Sequence, residues 1–470
     1  MKTFVSDSIF KKISEVAQEL QLPTYVVGGF VRDKILQRPG ASKDIDLVCV
    51  GSGIVLAKAV AKKLNVKKVN TFKNFGTAQF RYGNIELEFV GARKESYDRN
   101  SRKPVVEDGT LEEDLERRDF TINAMAISLN KADFGTLIDP FKGQQHLQEK
   151  LLKTPLAPVQ TYSDDPLRMM RAIRFACQLQ FTIESESFDA IKNTQERIEI
   201  ISVERVADEL HKIMQSPKPS IGLLLFYQSG LMAHFIPEIV ALKGVEEVDG
   251  QLHKDNFYHT LQVVDNLAET SEKMWLRYAA LFHDIGKPIT KKFIKPTGWT
   301  FHNHEFVGAK MVYKIFKRLK LPLGPKLKYT QKIVRLSSRP IAVTESQATD
   351  SAARRLLFDA GDDLNDLMLL CEADITTLNQ KKKQCFLANF KKVRAKLQEV
   401  EESDKVRNFQ PPVTGEEIME TFGLPPCREI GTIKETIKEA ILQGTIKNER
   451  GEAWELMLSE AQKLGLTPKK

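Results

Sequence analysis

The chain has 470 residues, 42% of them apolar and 28% charged, the make-up of a soluble globular protein with room for about three domains. It has no run of ~18 apolar residues and no basic patch followed by an apolar stretch near Met1, so neither a membrane span nor a secretory leader is expected, and a cytoplasmic location is. Five scattered cysteines without a CxxC pair read as reduced thiols, and a net charge of +8 permits a polyanionic partner without identifying one.

Strand signals are confined to the first third. Thr24–Val27, Asp44–Val50, Thr77–Tyr82 and Ile85–Val90 are short β-branched or apolar runs, the last two separated by a Gly83-Asn84 turn. Helical patterns at Ser8–Leu20, Phe30–Leu36 and Gly53–Leu64 surround them, indicating an α+β or α/β domain over 1–150, with α+β the expected class. The polar segment Arg93–Glu116 reads as a long functional loop. Beyond Leu151 the pattern is helical: Pro166–Gln178, Ser185–Asn193, Val203–Met214, His259–Thr270, Trp275–His283, Gly308–Leu319 and Asp350–Leu370. Breaks near Ser216-Pro217, Gly244–Asp255 and Arg407–Pro412 suggest all-α regions over 151–245, 246–400 and 401–470.

The strongest constellation is Val26-Val27-Gly28-Gly29-Phe30-Val31-Arg32-Asp33, followed by Asp44-Ile45-Asp46. A strand, a tight glycine turn and a helix start turn backbone N–H groups toward an anion, with Arg32 as a charged partner. Asp44 and Asp46 alternate on a strand, so both carboxylates share a face and repel unless a cation lies between them. Such a pair suits Mg2+ bound together with substrate phosphates. Glu86 and Glu88 repeat the alternation on the next strand. Glu88 is preferred as a third carboxylate.

These residues resemble the polymerase-β-like head of the class II CCA-adding tRNA nucleotidyltransferases and the related bacterial poly(A) polymerases. Arg117-Arg118-Asp119, Asp164-Asp165-Pro166-Leu167-Arg168 running on to Arg171 and Arg174, and Ser202-Val203-Glu204-Arg205 match later motifs in order, over about residues 20–215. The resemblance implies tRNA, CTP and ATP as substrates and Mg2+ in the head. It also implies that Arg118 holds the triphosphate and Asp119 the ribose. Asp165 and Arg168, read as i, i+3 neighbours on one helix, can present an acceptor and a forked donor to the cytosine and adenine edges in place of a template. Arg171 and Arg174 extend that basic stripe toward phosphates or primer.

Further on, His259, His283-Asp284 and Asp374 give the order H…HD…D, a ligand set for a divalent metal that activates water. It resembles an HD phosphohydrolase domain over about 246–395 and implies Mg2+, Mn2+ or Ni2+ there, with His304 a better additional ligand than His302. The tail after Pro412 resembles the small helical tail of relatives carrying HD domains. The alternatives are a poly(A) polymerase, against which Asn74-Phe75-Gly76-Thr77 speaks, an enzyme adding only CC or only A, and an HD hydrolase with an inactive head. Nothing in the sequence calls for an obligate protein partner.

Overall fold

The computed structural model describes residues 2–39, 43–73, 76–96, 105–345, 349–404, 407 and 409–469, and divides into two compact units, Met1–Phe235 and Ile236–Lys470. The first is built on a seven-stranded sheet with the order Asn70–Phe72, Thr77–Tyr82, Ile85–Gly91, Asp44–Cys49, Thr24–Val27, Ala126–Ser128, Leu137–Ile138. Every neighbouring pair is antiparallel except Asp44–Cys49 with Ile85–Gly91. The path between those two parallel strands runs through the helix Gly53–Lys63, as a parallel pair requires. Ser52 caps this helix by accepting from the Val55 N–H. Its residues Leu56, Ala57, Val60 and Ala61 are buried, as are Ile9, Phe10, Ile13, Val16 and Ala17 of the helix Ser8–Glu19 that packs beside it.

The other face of the sheet carries Val27, Val48 and Ala126, which pack with Leu111 and Leu115 of the helix Leu111–Glu116. That helix corrects the expectation of a long loop over 93–116. Thr110 and Glu113 form a reciprocal capping box at its start, and Arg93–Ser96 pairs antiparallel with Val105–Asp108 ahead of it. Residues 97–104 of that segment, like Asn74 and Phe75, lie outside the described residues.

The remainder of the first unit is mainly helical, with Pro158–Asp164, Leu167–Leu179, Ser185–Thr194, Val203–Met214 and Pro219–Gln228 as its main elements. The second unit is helical apart from two short antiparallel ribbons, Glu247–Val248 with Gln251–Leu252 and Lys292–Ile294 with Gly298–Thr300. The continuous helix expected over Asp350–Leu370 is two helices, Asp350–Ala360 and Leu364–Ala373, because Gly361 turns the chain with φ +51°. A mixed-sheet head followed by helical regions is therefore the architecture. Among the described residues no helix is long and apolar enough to cross a membrane.

Candidate active site and metal centre

The strand Thr24–Val27 ends at Gly28, whose φ of +71° suits glycine, and Gly29 opens the helix Gly29–Ile35. A Cβ on Gly28 would lie 2.9 Å from a guanidinium nitrogen of Arg118, so the turn also makes room for that side chain. In the sheet, Val27 stands opposite Asp46, Asp46 opposite Glu88, and Asp44 opposite Glu86. With side chains alternating along each strand, these four carboxylates share one face. Burial pushes the Asp46 carboxyl up and Asp44 adds to the rise, while Arg118 offsets part of it. Burial also pushes Glu88 up, reinforced by Asp46 and Glu86. A cluster whose members raise one another is a donor set whose repulsion a divalent cation relieves, so the residues fit such an ion. Asp44, Asp46 and Glu88 do not bring three oxygens as close together as the ligand atoms of the second unit described below.

Beside the carboxylates lies a cleft of about 400 Å³ lined by Gly28, Gly29, Arg32, Asp46, Arg117, Arg118, Asp119, Asn123, Asp165, Arg168, Arg171, Phe175 and Arg205. Six arginines facing three aspartates make it an anion site. The buried Asp114 aims two of them, 2.5 Å from Arg117 and 3.0 Å from Arg118. Burial opposes ionisation of Asp114, but Arg118 and Arg117 outweigh it and hold the carboxyl below its ordinary value. Arg32 is forked onto Asp33 at 2.8 Å and donates at 2.8 Å to Asn123. Asn123 in turn donates at 2.9 Å to Asp119. Asp119 also accepts from the Phe120 N–H at 2.9 Å and pairs with Arg171 at 2.6 Å.

Two expectations need correction. Asp165 and Arg168 do not share a helix. Asp165 is extended (φ −133°, ψ 96°) in the break between Pro158–Asp164 and Leu167–Leu179, where its carboxylate accepts from the Leu167 N–H at 3.2 Å. Pro166 disfavours the helical conformation for the residue before it. Both side chains nevertheless line the cleft, and Arg168 donates to the Arg117 carbonyl at 2.6 Å. Arg174 does not line it. Arg174 lies 2.6 Å from the buried Glu209 and 4.0 Å from the Phe175 ring centroid, so it serves the interior of the helical region. Arg117 and Arg205 line the cleft as well, and the sequence shows them as members of the matched motifs without giving either a role of its own; Asn123 and Phe175 are likewise site residues with no role assigned from the sequence. Asp114 is detectable there, since it stands three and four places before Arg117 and Arg118 on a helix start.

Burial opposes the ionised form of Asp119, yet Arg171, Asn123 and Arg168 bring its carboxyl down to about 2. A depressed carboxylate stabilises the fold above its unfolded value of ~3.9 and loses that contribution as pH falls through the folded value. Asp119→Asn is therefore expected to destabilise the first unit by about 2–3 kcal/mol at pH 7, from ~1.4 kcal/mol per unit of displacement. Denaturant titrations of parent and variant should show the gap shrinking between pH 4 and pH 2. An equal gap across that range would contradict the assignment.

In the second unit, His259, His283 and Asp284 bring ligand atoms within 4.8 Å of one another. The Nε2 of His259 is 2.7 Å from Asp374 Oδ1, and the Nε2 of His283 is 3.3 Å from Asp284 and 3.6 Å from Asp374. The Nδ1 of His283 lies 2.8 Å from the Ala280 carbonyl, which fixes its proton on Nδ1, and its buried Nε2 has no hydrogen-bond partner among the described residues. An imidazole held this way presents a free ligand atom, so the set fits a divalent ion. His304 joins the cluster, 3.6 Å from Asp284, whereas His302 is exposed. Two lysines that the sequence does not single out stand beside the site, Lys287 at 2.7 Å from Asp284 and Lys254 at 2.6 Å from His259 Nδ1.

Three family profiles match the chain: "Poly A polymerase head domain" over residues 24–153, "Probable RNA and SrmB- binding site of polymerase A" over 180–242, and "HD domain" over 256–379. An A-adding tRNA nucleotidyltransferase of Deinococcus radiodurans is 31% identical over 349 residues, 72% of this chain and 76% of the relative. A multifunctional CCA protein of Vibrio vulnificus is 32% identical over 313 residues, 64% and 72% of the two chains. The fold is similar to that of the Thermotoga maritima CCA-adding enzyme solved with tRNA, with TM-score 0.59 and 22% identity over 96% of this chain and 94% of that one.

Proposed function

Because the chain belongs to the tRNA nucleotidyltransferase family, we propose that its N-terminal cleft builds or repairs the CCA end of tRNA from CTP and ATP, without a template. The observation that carries this reading is a single arginine-rich cleft holding Asp46, Arg118, Asp119, Asp165 and Arg168 together. In the reaction the primer's terminal hydroxyl attacks the α-phosphate of the incoming nucleotide and diphosphate leaves. Asp44 and Asp46, with Glu88 beside them, would hold Mg2+, which would supply positive charge for phosphoryl transfer. Arg118, aimed by Asp114, forks onto the triphosphate. Asp119 accepts from the ribose hydroxyls once Arg171 turns toward phosphate. Asp165 accepts the amino hydrogen common to C and A, and Arg168 donates to the ring acceptors. The work is assigned to four regions, 1–150, 151–245, 246–400 and 401–470, in the cytoplasm.

A second reading, addition of A alone, is favoured by the name of the Deinococcus radiodurans relative. The test offers tRNAs ending in the discriminator base, in C and in CC each nucleotide singly and reads product lengths. Full CCA addition requires C incorporation on the first two and A on the third. A incorporation on the third with no C on the others selects the second reading, and no extension of any of them sinks both.

For the second unit we infer a phosphohydrolase centre whose ion, Mg2+, Mn2+ or Ni2+, is held by His259, His283, Asp284 and Asp374. His283→Ala with Asp284→Ala is expected to eliminate hydrolysis of 2′,3′-cyclic nucleotides and a generic phosphoester with each metal. Nucleotide addition should stay within about twofold of the parent, because the two ligand sets are separate. Equal hydrolysis by parent and variant, or none by either, would leave the region a scaffold.

A further inference from the structure

The net charge of the protein is not spread evenly. From Phe306 to Ile341 the sequence holds ten lysines and arginines and no aspartate or glutamate. Taking those ten from the chain's 70 basic residues leaves 60, against 62 acidic residues elsewhere. The whole positive excess therefore resides in one stretch. In the fold that stretch is mainly two helices, His304–Arg318 and Pro325–Leu336, which pack against each other, the Gln331 amide donating to the Ala309 carbonyl at 2.8 Å.

A groove of about 410 Å³ lies over them. Lys328, Lys332, Arg335 and Arg339 line it at intervals of four, three and four residues, the spacing of one helical face. Lys310 and the ring of Phe306 line it from the other helix. Phe306 is 47% exposed, with Lys310 4.1 Å and Arg335 6.0 Å from its ring centroid. Lys332 is partly neutralised by Asp363 at 2.9 Å and Arg339 by Asp359 at 3.6 Å. Among the described residues no carboxylate comes within ion-pair distance of Lys310, Lys328 or Arg335. A helix face that is merely solvated normally interleaves both signs. A row of cations beside an exposed aromatic ring is instead the combination that tracks a phosphate backbone and stacks an unpaired base.

We propose that this groove binds an unpaired stretch of the tRNA substrate, its phosphates on Lys328, Arg335 and Lys310 and one base on Phe306. The proposal rests on the reading that tRNA is the substrate and adds to it a second RNA-binding surface, outside the region 180–242 that matches the RNA-binding profile.

The test measures binding of the full chain to tRNA across a salt series. Lys328→Ala with Arg335→Ala should weaken binding about tenfold at low salt and reduce the slope of log affinity against log salt by about 2, roughly one for each phosphate no longer neutralised. Phe306→Ala should weaken it ~5-fold or more with the slope unchanged, and Phe306→Trp should restore it. All three residues are exposed, and melting temperatures near the parent's would show the fold intact. At saturating tRNA the rate of nucleotide addition should match the parent's, the loss appearing as a raised KM. Parental affinity and slope in both variants would overturn the proposal while leaving CCA addition standing. Displacement of tRNA by polyglutamate as effectively as by an oligoribonucleotide of equal charge, with no effect of Phe306→Ala, would overturn it in favour of an acidic protein partner. If the parent binds tRNA but extends none, and the variants bind it less, the functional reading fails and the groove remains.

Discussion

Replacing Asp46 with alanine should lower C and A addition together by about 10³-fold or more, with tRNA affinity changed little. The size follows from what charge stabilisation supplies in phosphoryl transfer, where losing one preorganised electrostatic group commonly costs ~10²–10³ in rate and a metal ligand costs more. The uniformity across nucleotides follows from position. Asp46 is held by strand register between Val27 and Glu88, next to the Gly28 turn and Arg118. Asp44→Ala should behave alike, since the two carboxylates alternate on one strand. A stability measurement separates this from misfolding. Asp46 is half-buried beside like charge, so removing its carboxylate in the absence of metal should leave the fold as stable as the parent or more so. Asp119, which pairs with Arg171, behaves oppositely. Substantial addition by the Asp44→Ala, Asp46→Ala double variant would remove the carboxylates from the chemistry.

The second large effect is on nucleotide choice. Asp165→Ala should cost ~1–3 kcal/mol of discrimination between C or A and U or G, roughly 5- to 150-fold, because it deletes the acceptor for the amino group that C and A carry where U and G carry a carbonyl oxygen. Arg168 needs a more careful substitution. Its guanidinium also holds the Arg117 carbonyl at 2.6 Å, so Arg168→Ala loosens the neighbouring arginines as well as the hold on the base. Arg168→Lys keeps the charge and loses the fork, and should reduce selection with a smaller loss of rate. Competition assays with all four nucleotides at equal concentration measure this. Variants that select C and A as sharply as the parent would place base reading elsewhere in the cleft.

Much of this is legible in the sequence where local and tertiary preferences agree. Thr24–Val27 and Thr77–Tyr82 are strands within the expected bounds, because β-branched and apolar runs ending at glycines have little alternative. The sheet strands that the sequence does not reveal are two or three residues long. Asn70–Phe72, Ala126–Ser128 and Leu137–Ile138 have too few residues to show a period and exist through the ladders they complete. Gly308 reads as a helix start in the sequence, yet the helix begins at His304. The residue that needs to be glycine at this contact is Gly286, where a Cβ would lie 2.1 Å from the His304 carbonyl oxygen, whereas a Cβ on Gly308 would meet its neighbours at an ordinary 3.5 Å. The extended Asp165 is foreshadowed by Pro166, and the helix at Leu111 by the Thr110–Glu113 spacing. The pairing of Arg174 with Glu209 has no sequence signal, because the partners stand on two different helices that only packing brings together.

The central claim is that one cleft, with no template, selects C and A in a fixed order. It is tested most directly by giving the full chain a tRNA that ends at the discriminator base, with all four nucleotides and Mg2+ present, and sequencing the 3′ ends. The products should end in CCA and stop there, with the Asp46→Ala variant leaving the tRNA unextended. Tails of repeated A, incorporation of U or G at rates comparable to C and A, or CCA formation by the variant would contradict it.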